Sequence, residues 1–79
     1  MLVDEVVTMQ YKFSAIVEHE GAWYVALCPE LDIASQGHSV DESLANLREA
    51  VQLYLESADP SELQLPTEPP LLTTLDIAV

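Results

Sequence analysis

Basic residues are almost missing from this chain. Lys12 and Arg48 are the only two among its 79 residues, against 14 Asp and Glu, so the formal net charge is −12. Basic side chains supply the phosphate contacts on which DNA binding depends, so direct binding to nucleic acid or to an anionic membrane is excluded and a cationic partner is favoured. Cysteine is nearly absent too. Cys28 stands alone, no internal disulfide can form, and stability has to come from the core or from association; a homo-oligomer is expected. No apolar run approaches the roughly 20 residues of a membrane-spanning helix. Met1 to Gln10 carries Asp4 and Glu5 without Lys or Arg, the wrong charge for a secretory leader, and the expected location is the cytoplasm. Glycine is confined to Gly21 and Gly37, each punctuating an apolar stretch.

What the chain does have is apolar material. Hydrophobic residues make up 49% and the mean hydropathy is +0.17, enough for one small core and one domain over residues 1–79. From Met9 to Val17 the residues alternate, with Tyr11, Phe13, Ala15 and Val17 on one side, which predicts a first strand. His19, Glu20 and Gly21 read as a hairpin turn, and Trp23, Val25 and Leu27 alternate again on a returning strand. Pro29 interrupts it, and Leu31 to Gln36 predict a third strand ending at Gly37. Trp23, Val25 and Leu27 lie on one face of strand two and Tyr24, Ala26 and Cys28 on the other; alternation alone leaves open which set meets the helix.

The helix is clearly marked. Ser39 is a good N-cap, Asp41 and Glu42 place negative charge in the first turn, and Ser39 with Glu42 has capping-box spacing. From Val40 onward Val40, Leu44, Leu47, Val51, Leu55 and Ala58 form an apolar stripe that Ala50 and Tyr54 widen. Glu42, Glu49 and Glu56, seven residues apart, form an acidic column with Leu53 beside it. Pro60 stops the helix, and a proline-rich connector over 59–70 leads to Leu71, Leu72, Leu75, Ile77 and Val79, which predict a terminal strand over 71–79. A right-handed crossover would lay that strand parallel to strand one, or it would be exchanged between subunits; Leu71, Leu72, Leu75, Ile77 and Val79 are the candidate oligomer contacts.

The run Trp23-Tyr24-Val25-Ala26-Leu27-Cys28-Pro29-Glu30-Leu31, then Gln36-Gly37-His38-Ser39 with Glu42, then Leu47, Ala50 and Tyr54-Leu55, resembles the HicB-like antitoxin family over roughly residues 10–58. The resemblance implies a partial RNase H-like α+β fold of order β-β-β-α-β, an antiparallel meander with one helix on one face. It also implies a type II toxin–antitoxin role, in which the domain neutralises a small basic HicA-like toxin that cleaves mRNA. His38 departs from the family pattern, which more often has an acidic or small polar residue there. The C-terminal DNA-binding segment of many such antitoxins is also missing, since no Lys or Arg follows Arg48.

Catalysis is not expected. Strand one has no Asp, and its only acid, Glu18, sits at the hairpin end, so the carboxylate set of a two-metal nuclease is not visible. His19, His38 and Cys28 lack ligand spacing to one another. Neither a metal nor a cofactor is therefore called for. Cys28 reads as buried filler, not as a nucleophile. Glu42, Glu49, Leu53 and Glu56 are the candidate partner contacts, although a solvated acidic helix face is the commoner meaning of such a column. A stand-alone oligomeric structural or regulatory domain with another protein partner is the alternative to an antitoxin.

Overall fold

The computed structural model describes residues 11–59, 68 and 70–79, and in it three antiparallel strands are followed by one helix, an α+β architecture. Strands β1 (Ile16–Glu20), β2 (Trp23–Cys28) and β3 (Ile33–Gly37) lie side by side in that order. Helix α1 (Val40–Ser57) packs chiefly over β3 and β2 and only marginally over β1.

The first hairpin closes on two residues. Glu20 stands opposite Trp23, leaving Gly21 and Ala22 as the loop, and Gly21 takes a φ of 59°. Positive φ at the first loop position but not at Ala22, the second, is the mark of a type II′ turn, whose twist matches that of the flanking strands. This tight closure displaces the expected first strand. It begins at Ile16 instead of Met9 and takes in His19 and Glu20, which alternation had left to the turn. Residues 11–15 carry no regular pairing, and Met9 and Gln10 lie outside the described residues. Between β2 and β3, Asp32 adopts a φ of 55°. Extended strands exclude that value, so β3 starts at Ile33 and not at Leu31.

Gly37 shows why the helix begins where it does. A Cβ added there would come within 2.7 Å of the Ser43 nitrogen and 2.9 Å of the Glu42 carbonyl carbon, so only glycine lets β3 run under the first turn of α1. Ser39 caps that turn: its Oγ accepts from the Glu42 N–H at 3.0 Å. Glu42 reaches back to accept from the His38 N–H at 3.2 Å, one residue before the cap's own N–H. The Asn46 side chain donates to the Gln36 carbonyl at 2.8 Å and ties the helix to the end of β3.

Ala26, Cys28, Leu47 and Val51 form the buried core, with Phe13, Val17, Leu31, Ile33, Leu44 and Leu55 packed around it. This decides the orientation that alternation left open. Tyr24, Ala26 and Cys28 face the helix, so Trp23, Val25 and Leu27 face outward. Burying side chains the size of Leu47 and Val51 stabilises the fold by roughly 1.5–3 kcal/mol each. Val40 and Tyr54, expected on the apolar stripe, are instead 42% and 41% exposed, because the stripe is centred on Ser43, Leu47 and Val51. Ser43 is fully buried, and its hydroxyl is satisfied by donating to the Val40 carbonyl at 2.8 Å.

The expected terminal strand is not formed within its own chain. Residues 70–79 have no regular structure and are exposed, so they do not lie parallel to β1. A strand is held by its ladder to a neighbour, and residues 70–79 make no ladder with either edge strand, β1 or β3. Residues 60–67 and 69 of the connector lie outside the described residues.

Candidate functional site

The outer face of the sheet is a grid of nine positions in three rows. Antiparallel pairing sets Ile16, Leu27 and Ala34 in the first row and Glu18, Val25 and Gln36 in the second. Glu20 and Trp23 begin the third, and His38 completes it by stacking on Trp23 with ring centroids 4.2 Å apart. Because α1 packs on the opposite face, this grid is open to solvent: Ile16 is 37% and Trp23 39% exposed. A shallow hollow of about 190 Å³ lies over Val25, Ala34, Ser35 and Gln36. The face therefore carries aliphatic groups at one end, an indole–imidazole stack at the other, and two carboxylates along the β1 edge. An apolar centre with a charged rim is the make-up of a protein-binding surface.

His38 was legible only as a departure from a family pattern. The register explains it, since Tyr24 pairs with Gly37 and the next position outward brings His38 beside Trp23. His19 is placed in the same way on the helix side, where it stacks on Tyr24 at 4.4 Å with the rings 11° from parallel. The two histidines and Cys28 are thus apart, and no group of three His, Cys, Asp or Glu among the described residues could hold a metal ion.

The acidic column of α1 is present but mixed in role. Glu49 and Glu56 are exposed and Leu53 is 59% exposed, whereas Glu42 is engaged in capping. The structure brings these residues to one helix face; it does not bring them to the sheet grid.

Cys28 is buried in the core beneath the helix. Burial pushes its thiol pKa up against the lowering effect of a backbone hydrogen bond at Leu31, and the hydrogen bond and charge of Glu30 add to the rise. A protonated thiol is a poor nucleophile. Its Sγ donates to Glu30 Oε1 at 3.5 Å, and the same oxygen accepts the Ser14 N–H at 2.9 Å. Burial acts upward on the Glu30 carboxyl, but the Ser14 hydrogen bonds and its own backbone prevail and hold it below the ordinary 4.5.

On the helix side, a groove of about 450 Å³ opens between residues 11–15 and α1, where the helix leaves β1 uncovered. Phe13, Leu44, Leu47, Val51 and Leu55 give it apolar walls, and Lys12 and Arg48 also line it. Among the described residues no helix is long and apolar enough to cross a membrane.

A small α+β domain with one open sheet face is the class the geometry defines. The chain belongs to the UPF0150 family. It is 34% identical to a UPF0150 protein of Synechocystis sp. over 71 residues, covering 87% of this chain and 90% of that protein. It is 39% identical to a UPF0150 protein of Helicobacter pylori over 51 residues, covering 63% of this chain and 71% of that one. No protein-family model matches the chain, and no solved structure matches it.

Proposed function

We propose that this chain is a non-catalytic binding domain that captures a small basic protein, as the antitoxin of a HicB-type pair whose partner is a HicA-like mRNA-cleaving toxin. The observation that carries this reading is the open sheet face, apolar at Ile16, Trp23, Val25 and Leu27 and edged by Glu18 and Glu20, on a chain of net charge −12. Such a charge speeds encounter with a cationic partner, and the apolar centre gives the complex its lifetime. The motif run from Trp23 to Leu31 and the Gln36-Gly37 pair support the antitoxin identity. A lone buried thiol with no disulfide suits the reducing cytoplasm.

The test is calorimetric titration of the full chain with the product of a short basic reading frame beside its gene. Wild type should bind, and the pair Glu18→Lys with Trp23→Ala should weaken binding by about tenfold or more. Absence of any heat of mixing with the wild-type chain would sink the proposal. A loss seen only with Glu49→Lys, Leu53→Ala and Glu56→Lys would move the contact to α1. One observation favours the alternative of a self-assembling regulatory domain, namely the exposure of Leu71, Leu75 and Ile77. An assembly that forms without any basic partner would agree with it.

A further inference from the structure

The third row of the open sheet face sets an indole beside a carboxylate. Glu20 on β1, Trp23 on β2 and His38, one residue past β3, stand along it in that order. His38 stacks on Trp23 with ring centroids 4.2 Å apart and the planes 29° from parallel, so it covers the indole face turned toward β3. The other indole face is turned toward β1, where Glu20 is the direct cross-strand neighbour. Such neighbours have Cβ atoms about 5 Å apart and point to the same side of the sheet. Glu20, Trp23 and His38 are all exposed.

The row is anchored, and its charge is not met from within the chain. Glu42 accepts the His38 N–H at 3.2 Å and ties that residue to the first turn of α1. Lys12 and Arg48, the only Lys and Arg, line the groove on the helix side, across the sheet from Glu20. A guanidinium is flat enough to stack on an indole and offers paired N–H donors to a carboxylate, whereas an ammonium is a compact, strongly hydrated charge that cannot make the paired contact. We infer that the slot between Trp23 and Glu20 is the receptor for an arginine side chain of the basic partner, stacked on the free indole face and hydrogen-bonded to the Glu20 carboxylate. Glu18, one row further in beside Val25, adds negative charge to the approach. The inference deepens the binding-domain reading of this face and rests on it.

Trp23 is the chain's only tryptophan, so its emission reports on the slot. The full chain is titrated at physiological salt with acetylated tetra-arginine amide and acetylated tetra-lysine amide, probes of equal charge, with circular dichroism confirming that each variant is folded. The arginine peptide should change Trp23 emission saturably and bind about threefold or more tighter than the lysine peptide. Glu20→Gln should abolish that preference, while Glu49→Gln, which removes the same charge from the exposed face of α1, should preserve it. Equal binding of the two peptides by wild type overturns the inference, and so does an equal effect of the two substitutions or an emission that does not saturate at millimolar peptide. Emission that shifts with the chain's own concentration, and no longer does so in Arg48→Ala, would give the slot to a second copy and overturn it as well. Failure here is separable from failure of the antitoxin reading. A basic partner that binds Glu20→Gln as tightly as wild type removes the arginine slot alone, whereas a wild type that discriminates the peptides but shows no heat of mixing with that partner keeps the slot and removes the antitoxin.

Discussion

At Gly37 one added methyl group has no room. Its φ is not in the left-handed region, so the requirement is space: the first turn of α1 passes close enough for a Cβ to meet the Ser43 nitrogen at 2.7 Å. Gly37→Ala should therefore force β3 and α1 apart and lower stability by roughly 1–3 kcal/mol, the usual cost of overpacking. Urea denaturation checks it, and a midpoint equal to that of wild type would show that the interface yields freely. Ser43 belongs to the same contact. A larger side chain there would meet the sheet, and a polar one survives full burial only because its hydroxyl bonds back to Val40. Gly37 could be read from sequence as a strand end. Ser43 could not, because serine on an apolar stripe looks like an interruption until the close approach of the strand is known.

Among the elements, the least regular is the stretch before β1. Residues 11–15 are tied to the turn after β2 by one carboxylate, with Glu30 accepting from the Ser14 N–H and the Cys28 thiol. Because the folded-state pKa of Glu30 lies below its ordinary 4.5, its charge contributes stability above that value and loses the contribution as pH falls through the folded-state pKa. Glu30→Gln should lower the melting temperature at pH 7, and the gap between the two proteins should close as pH falls from 4.5 through the folded-state pKa. A gap that stays constant across that range would mean that shape, not charge, makes the tie. The long-range contact of Glu30 with Ser14 had no sequence signal, because it joins residues 16 apart through a side chain. The helix, by contrast, was legible at its start: Ser39, Asp41 and Glu42 predict Val40 as the first residue, and α1 begins there. Local capping chemistry acts over three or four residues and so survives in the sequence.

For the whole molecule, charge is the dominant property. The chain carries −12 on 79 residues with cations only at Lys12 and Arg48, and phosphate contacts from Lys and Arg supply most of the affinity for DNA. The purified chain should not retard operator fragments at physiological salt up to concentrations on the order of 10 µM. A salt-sensitive shift by this chain alone would overturn that expectation. Placement of the two cations matters as much as their number. They stand 36 positions apart in sequence, yet both line the groove beside α1. That convergence depends on the helix folding back over the sheet, and no local pattern announces it.

The sequence by itself determined the order of the three strands and the helix and the α+β class, because alternation, turn residues and the helix cap are local and each has a physical cause within a few residues. It also determined the net charge. The tertiary structure decided three further matters. It placed α1 on the Tyr24, Ala26 and Cys28 face and so left Trp23, Val25 and Leu27 as the open surface. It shifted β1 toward the hairpin, since a two-residue loop at Gly21 and Ala22 draws Glu20 opposite Trp23. It also left residues 71–79 outside the sheet of their own chain, where their apolarity alone had suggested a fourth strand. The common reason is that alternation tells how residues divide between two faces, whereas packing between distant segments decides which face is covered and by what.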